Sequence, residues 1–210
     1  MAIKLFNLKG DLFATSACFS AQAVIRLGSS MVLTRILNPD AYGIITVMLS
    51  IAFVIELLAD TNVTLFIIRD ERGEDPQYLN TAWTIAFARA VTNTVALFTL
   101  APLISNYIYH LPALTNPLRV FALSFTLTGL QSMAWPIAIR RKNARIVMYS
   151  ELASTAVSTV FSLTYCHYSR DYWGIIYGIL LQRLIMSILS RQFFKDKAPK
   201  LQPRRNWGHQ

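Results

Sequence analysis

The sequence predicts an all-α fold, a polytopic transmembrane bundle of about six helices, and three observations predict it. The chain is 54% hydrophobic and only 15% charged, with a mean hydropathy of +0.40, whereas a soluble domain is about a quarter charged. Its apolar residues fall in long runs, several reaching the ~20 residues that cross hydrocarbon. Its remaining charges cluster between those runs. A soluble chain of 210 residues could not hide so much apolar surface in one core, but lipid is itself an apolar solvent.

The first span is expected at about 12–36. Its leading residues, MAIKLFNLKGDLFATSACFSA, have the basic start and small residues of a signal peptide. Asp11 interrupts that pattern and the apolar run continues past any cleavage point, so the segment reads as an uncleaved spanning helix. Asn38, Pro39 and Asp40 then supply a helix cap, a first-turn proline and a carboxylate at the positive helix end. They open a second span at 39–68. RDERGEDPQ separates it from a third span at 78–107, and a loop with Pro112 and Pro117 leads to a fourth at 118–139, kinked at Pro136. RRKNAR precedes a fifth span at 146–166, and a sixth follows at 172–194. Residues 1–194 thus form one transmembrane domain, and 195–210 a basic cytoplasmic tail.

Loop charge tests this division independently. Lys4, Lys9, Arg69, Arg72, Arg140, Arg141, Lys142, Arg145, Arg191, Lys195, Lys197, Lys200, Arg204 and Arg205 fall on one side, fourteen in all. Arg35, Arg119 and Arg170 are the three on the other. The positive-inside rule places both termini in the cytoplasm, as an even number of crossings requires. Tyr107, Tyr109, Tyr168, Tyr172 and Trp173 gather at the opposite face as an interfacial aromatic belt. The RRKNAR loop reads as a topology determinant, with anionic-lipid contact second.

Charges inside the spans carry the functional signal. Arg26, Arg89, Arg183, Glu56 and Asp60 sit within apolar runs, with Glu151 nearer an end. An ionised side chain at the bilayer centre costs roughly 2.5–3.5 kcal/mol even on the lenient insertion scale. These groups should face a bundle interior, a wet cavity or each other. Arg26 and Glu56 lie near the middle of antiparallel neighbours and are expected to be able to meet, with Asp60 one turn beyond Glu56. One reading is that the charges pair and glue helices together. The other is a hydrophilic cavity in which Arg26, Arg89 and Arg183 bind an anionic cargo, since the guanidinium fork suits phosphate and pyrophosphate. Glu56 and Asp60 would then hold those arginines or take part in ion coupling.

Other function classes find little support. A net charge of +9 and a pI near 9.8 could suggest nucleic acid, but the basic residues sit at the ends of apolar runs and no basic–aromatic surface repeats. Cys18 and Cys166 lie in or beside apolar runs without a metal or redox spacing, so neither disulfide nor metal is assigned. No nucleophile–base pair, metal motif or phosphate-cradling glycine loop is visible, so neither enzyme activity nor a cofactor is expected. His110 and His167 read as loop residues at the far interface, and the Ser and Thr of SELASTAVSTVFS as a close-packing surface.

The stretch from Val24 to Gly43, VIRLGSSMVLTRILNPDAYG, resembles the opening of oligosaccharide flippases, the polysaccharide transporter family of the MATE/MOP flippase superfamily. Its most recognisable part is the Arg35-x-Leu37-x-Pro39-x-x-Tyr42-Gly43 turn, and Tyr78 through Arg89 resembles the start of that family's third helix. A weaker resemblance covers nearly the whole chain. It implies one half, the amino-terminal half, of a two-half MATE/MOP-like transporter in the bacterial inner membrane. It also implies that an undecaprenyl-pyrophosphate-linked oligosaccharide is turned over for O-antigen (lipopolysaccharide), capsule or exopolysaccharide biosynthesis, through a cationic central cavity. Asp60-Thr61-Asn62-Val63 lacks the glycine usual after the second span. The chain also stops after six predicted helices, so the resemblance implies a truncated half, or one that works with a second copy or a separate partner half. The alternatives are a cation-coupled multidrug exporter of the same superfamily and a non-transporting membrane scaffold subunit.

Overall fold

The structure is a computed structural model that describes residues 8–58, 63–70, 75–140 and 144–192. Asp60 and the basic tail lie outside the described residues. Among the described residues the chain forms eight α-helices: α1 (Leu8–Ile36), α2 (Pro39–Leu58), α3 (Val63–Arg69), α4 (Pro76–Leu103), α5 (Thr115–Gly129), α6 (Ala134–Arg140), α7 (Ala144–Ser169) and α8 (Trp173–Gln192). Five of the spans (in α1, α2, α4, α7 and α8) are long and apolar enough to cross a membrane. Pro112–Gly129 with Ala134–Arg140, bent by 54°, adds a sixth when taken as one span. The protein is therefore a multi-pass, all-helical membrane protein, as the apolar runs predict.

Local chemistry sets the helix ends. Pro39 is the first residue of α2 and Asp40 lies in its first turn, where the missing proline N–H costs nothing and a carboxylate meets the positive dipole end. Asp75 caps α4 by accepting from the Gln77 backbone N–H at 3.1 Å. Pro102 lies inside α4, which runs on into a single π-turn at Ile104–Ile108; a proline removes one donor and displaces the ladder nearby.

The helices pack in the order α1, α7, α8, α5, α4, with α2 laid against α5 and α4. α1 and α2 touch near their shared turn, where the Ser30 and Tyr42 hydroxyls lie 3.0 Å apart. Beyond it α1 docks on α7 while α2 docks elsewhere. The α7–α8 seam is close because α8 offers glycines: a Cβ on Gly174 would lie 2.6 Å from the Cys166 Sγ, and one on Gly178 would lie 3.0 Å from Ser162. Ser154, Thr155, Ser158 and Ser162 of α7 are buried, and the Ser162 hydroxyl donates to the Gly174 carbonyl at 2.8 Å. The small polar residues of the fifth span thus form a packing surface.

Two separate cores result. The larger joins α2, α4, α5 and α8 through Ile45, Met48, Leu97, Leu118, Phe121, Phe125 and Ile176. The smaller joins α3, α4 and α6 through Ile67, Leu79, Ala82 and Ile137. The larger lies toward the end of the bundle that carries the α1–α2 and α7–α8 turns. The smaller lies toward the basic end, where Arg69 and Arg140 close α3 and α6.

The fourth span departs from its expected form. Pro136 does not set its bend; the break falls earlier, over residues 130–133. Pro136 is the third residue of α6, within the turn whose N–H groups have no intrahelical acceptor, so a proline fits there without strain. Within the expected second span the structure describes α2 (Pro39–Leu58) and α3 (Val63–Arg69), and 59–62 lie outside the described residues.

Candidate functional site

The break between α5 and α6 frees backbone polar groups within a span, and the surrounding helices pair them. A spanning helix that stops leaves carbonyls and amides unpaired, each worth several kcal/mol in hydrocarbon. Here the Trp83 Nε1 donates to the Gln131 carbonyl at 3.1 Å. The Ser132 amide donates to the Ser190 Oγ at 3.0 Å, and Arg191 donates to the Leu130 carbonyl at 3.2 Å. The Ser132 hydroxyl caps the start of α6 by accepting from the Ala134 amide at 3.3 Å. Irregular backbone persists at membrane depth only where protein or a wet cavity surrounds it, and both occur here.

A cavity of about 190 Å³ opens beside the break. Ala86, Arg89, Ala90 and Asn93 of α4 form one wall, and Phe125, Thr128 and Gly129 of α5 another. Gln131, Ser132 and Met133 of the break and Trp135, Pro136 and Ile139 of α6 complete it, with Glu56 of α2 at the margin. The α4–α5 wall is tight: a Cβ on Gly129 would stand 2.4 Å from that of Ala90. One turn further on, the Thr94 hydroxyl bonds both the Ala122 carbonyl, at 3.0 Å, and the Thr126 hydroxyl, at 2.8 Å. The α6 wall is tied to α3 by Arg140, which donates to the Ile67 carbonyl at 2.9 Å and to the Asp70 carbonyl. Trp83 stacks on Phe87, with centroids 5.3 Å apart, and so holds its donor nitrogen over the break.

The expected site residues divide. Arg89, half-buried, and Glu56, exposed, line this cavity. Arg26 is exposed on α1 and Arg183 half-buried on α8, and neither lines it. Asp60 is outside the described residues. The expected meeting of Arg26 with Glu56 does not occur: no hydrogen bond or ion pair joins them. Counted from their common turn, Arg26 lies about 15 Å and Glu56 about 25 Å along their helices, so the pair is out of register. Sequence reading passed over Asn93, Thr128, Gln131 and Ser132. The signal for them was Gly129-Leu130-Gln131-Ser132 followed by Pro136, a glycine and a proline interrupting one apolar run.

Chemically, the cavity offers a permanent cation at Arg89, an amide at Asn93, hydroxyls at Thr128 and Ser132, and a carboxylate at its margin. That set can hold an anionic headgroup and give hydrogen bonds to polyhydroxylated matter. A family model described as polysaccharide biosynthesis protein matches residues 32–207. No curated protein and no solved structure gives a significant match.

Proposed function

Because the chain belongs to the polysaccharide biosynthesis protein family, with a role in polysaccharide synthesis or transport, we propose that it moves lipid-linked oligosaccharide units across the bacterial inner membrane without catalysing their chemistry. The observation that carries this reading is Arg89 beside a broken membrane helix, in a cavity whose lining includes Asn93, Thr128, Gln131 and Ser132. In transporters, discontinuous helices at membrane depth mark the substrate site, because their freed backbone groups and nearby charges face a wet chamber. Arg89 contacts the pyrophosphate of an undecaprenyl-linked cargo, Asn93 and Ser132 contact its first sugar, and the lipid tail stays in the bilayer.

The proposal extends to the other sequence-assigned residues. Arg26 and Glu56 are exposed in this chain, and charges at that depth do not face acyl chains without cost. A second copy of this chain, or a separate half, covers them and closes the chamber, and Arg183 and Asp60 are proposed to serve the same cargo from the sequence reading alone. Both termini lie in the cytoplasm, as the charge asymmetry indicates; reporter fusions at each terminus test this. The products are O-antigen, capsule or exopolysaccharide.

The test is proteoliposome transport of a fluorescent polyprenyl-pyrophosphate saccharide, scored by its accessibility to an external lectin. Arg89→Ala should abolish transport at unchanged protein level, and Arg89→Lys should retain part of it, since lysine keeps the charge but loses the fork. Full transport by Arg89→Ala overturns the proposal, and loss of the folded protein assigns Arg89 to helix gluing. Glu56 at the cavity margin favours a second reading, cation-coupled export of drugs; efflux of cationic dyes that fails in Glu56→Gln would select it.

A further inference from the structure

The polysaccharide reading leaves unused the largest aromatic assembly among the described residues. It lies at the turn end of α7 and α8, away from the Arg89 cavity. Tyr172 stacks on Trp173 with centroids 5.6 Å apart and planes 25° apart. Trp173 stacks on Tyr177 at 5.7 Å and 27°. Tyr177 meets Tyr165 edge-on at 5.6 Å, and Phe161 follows at 6.2 Å. The glycines of α8 bring the two helices together, and the rings are displaced to the side of that seam, where Phe161 and Tyr177 stay 40% and 38% exposed.

An interfacial anchor accounts for the rings at the helix ends, Tyr172 and Trp173. It does not account for a ladder that descends a full turn on both helices, to Tyr165 and Tyr177 at about 6 Å from the helix ends and Phe161 at about 12 Å. Nor does it account for the phenols. None of Tyr165, Tyr172 and Tyr177 is buried, and their hydroxyls hydrogen bond to no described residue, so they are open to an outside partner. A strip of apolar ring surface edged with free hydroxyls complements a pyranose, whose C–H face is apolar and whose rim is hydroxylated.

We propose that the ladder Tyr172–Trp173–Tyr177–Tyr165–Phe161 is a saccharide-docking site that receives pyranose units at the turn end of the bundle. The site rests on the polysaccharide reading but not on Arg89. Cargo held by its anionic head near the basic end would meet a stacking surface at the other, so the sugar has a binding partner on each side of the crossing.

The test is ¹⁹F NMR of 5-fluorotryptophan-labelled protein in lipid nanodiscs. Its four tryptophans give separate resonances, with Trp173 assigned through Trp173→Phe. The probes are the methyl pyranosides of glucose, galactose and mannose, with open-chain sorbitol as the control polyol. At least one pyranoside should shift the Trp173 resonance saturably in the millimolar range, with about tenfold weaker binding in Tyr177→Ala. Arg89→Ala should leave the shift intact, so failure of the cavity reading and failure of this one are separable. No shift with any pyranoside, an equal shift with sorbitol, or an undiminished shift in a folded Tyr177→Ala protein would overturn the site and leave the ladder a membrane anchor.

Discussion

The two ends of the bundle solve the same problem differently. At the turn end, α2, α5 and α8 run unbroken, α4 passes through Pro102 into a single π-turn without stopping, and the core of Ile45, Met48, Leu97, Leu118 and Phe121 is built from apolar side chains. At the basic end the fourth span breaks, and Trp83, Ser190 and Arg191 are recruited to pair the freed carbonyls and amide. Unbroken helices need only shape in a solvent as apolar as themselves. A broken one needs polar partners, and the region that supplies them is also the one with room and charge for cargo.

The comparison can be broken by substitutions at each end. Leu118→Ala, at a fully buried position of the larger core, should cost about 3 kcal/mol, read as a lower thermal midpoint in nanodiscs with transport retained below it. Gly129→Ala drives a Cβ into that of Ala90 and should cost about 2 kcal/mol. Adding Ala90→Gly should restore most of it, and failure of that rescue would mean the α4–α5 approach is not what limits the site. Trp83→Phe leaves the Gln131 carbonyl without its donor and should cost about 1 kcal/mol. The loss should appear as faster amide exchange over 130–140 while 115–125 stays protected. Ser190→Ala should do the same on a smaller scale, roughly 0.6 kcal/mol, confined to the Ser132 amide and its neighbours. Equal loosening of both ends by either of the last two would erase the distinction.

Much of this contrast was legible in the chain, and part was not. The start of the second span follows from Asn38-Pro39-Asp40, because caps and prolines act within a turn, whereas the Asp75 cap and Pro76 that open α4 read in sequence as part of a polar separator. The Ser and Thr of SELASTAVSTVFS could be read as a packing surface, but its partner, the α8 face with Gly174 and Gly178, came from the structure. Arg89 could be singled out because an ionised group deep in an apolar run is costly wherever the fold puts it. Its companions could not: Asn93, Thr128, Gln131 and Ser132 are ordinary residues until the chain bends by 54° and brings them to one cavity. Pro136, the strongest local signal for that bend, sits harmlessly in the first turn of α6.

By itself, then, the sequence determined that this is a helical membrane protein of several spans, and that some charges within them need a wet or protein-lined surrounding. Hydropathy, capping and desolvation are properties of short stretches, and they act before any helix has met another. The tertiary structure alone decided which charges share a chamber. It set Arg89 in the cavity with Glu56 at its edge, and left Arg26 and Arg183 outside it, because partner choice and helix register depend on how glycine and serine surfaces fit between helices far apart in the chain.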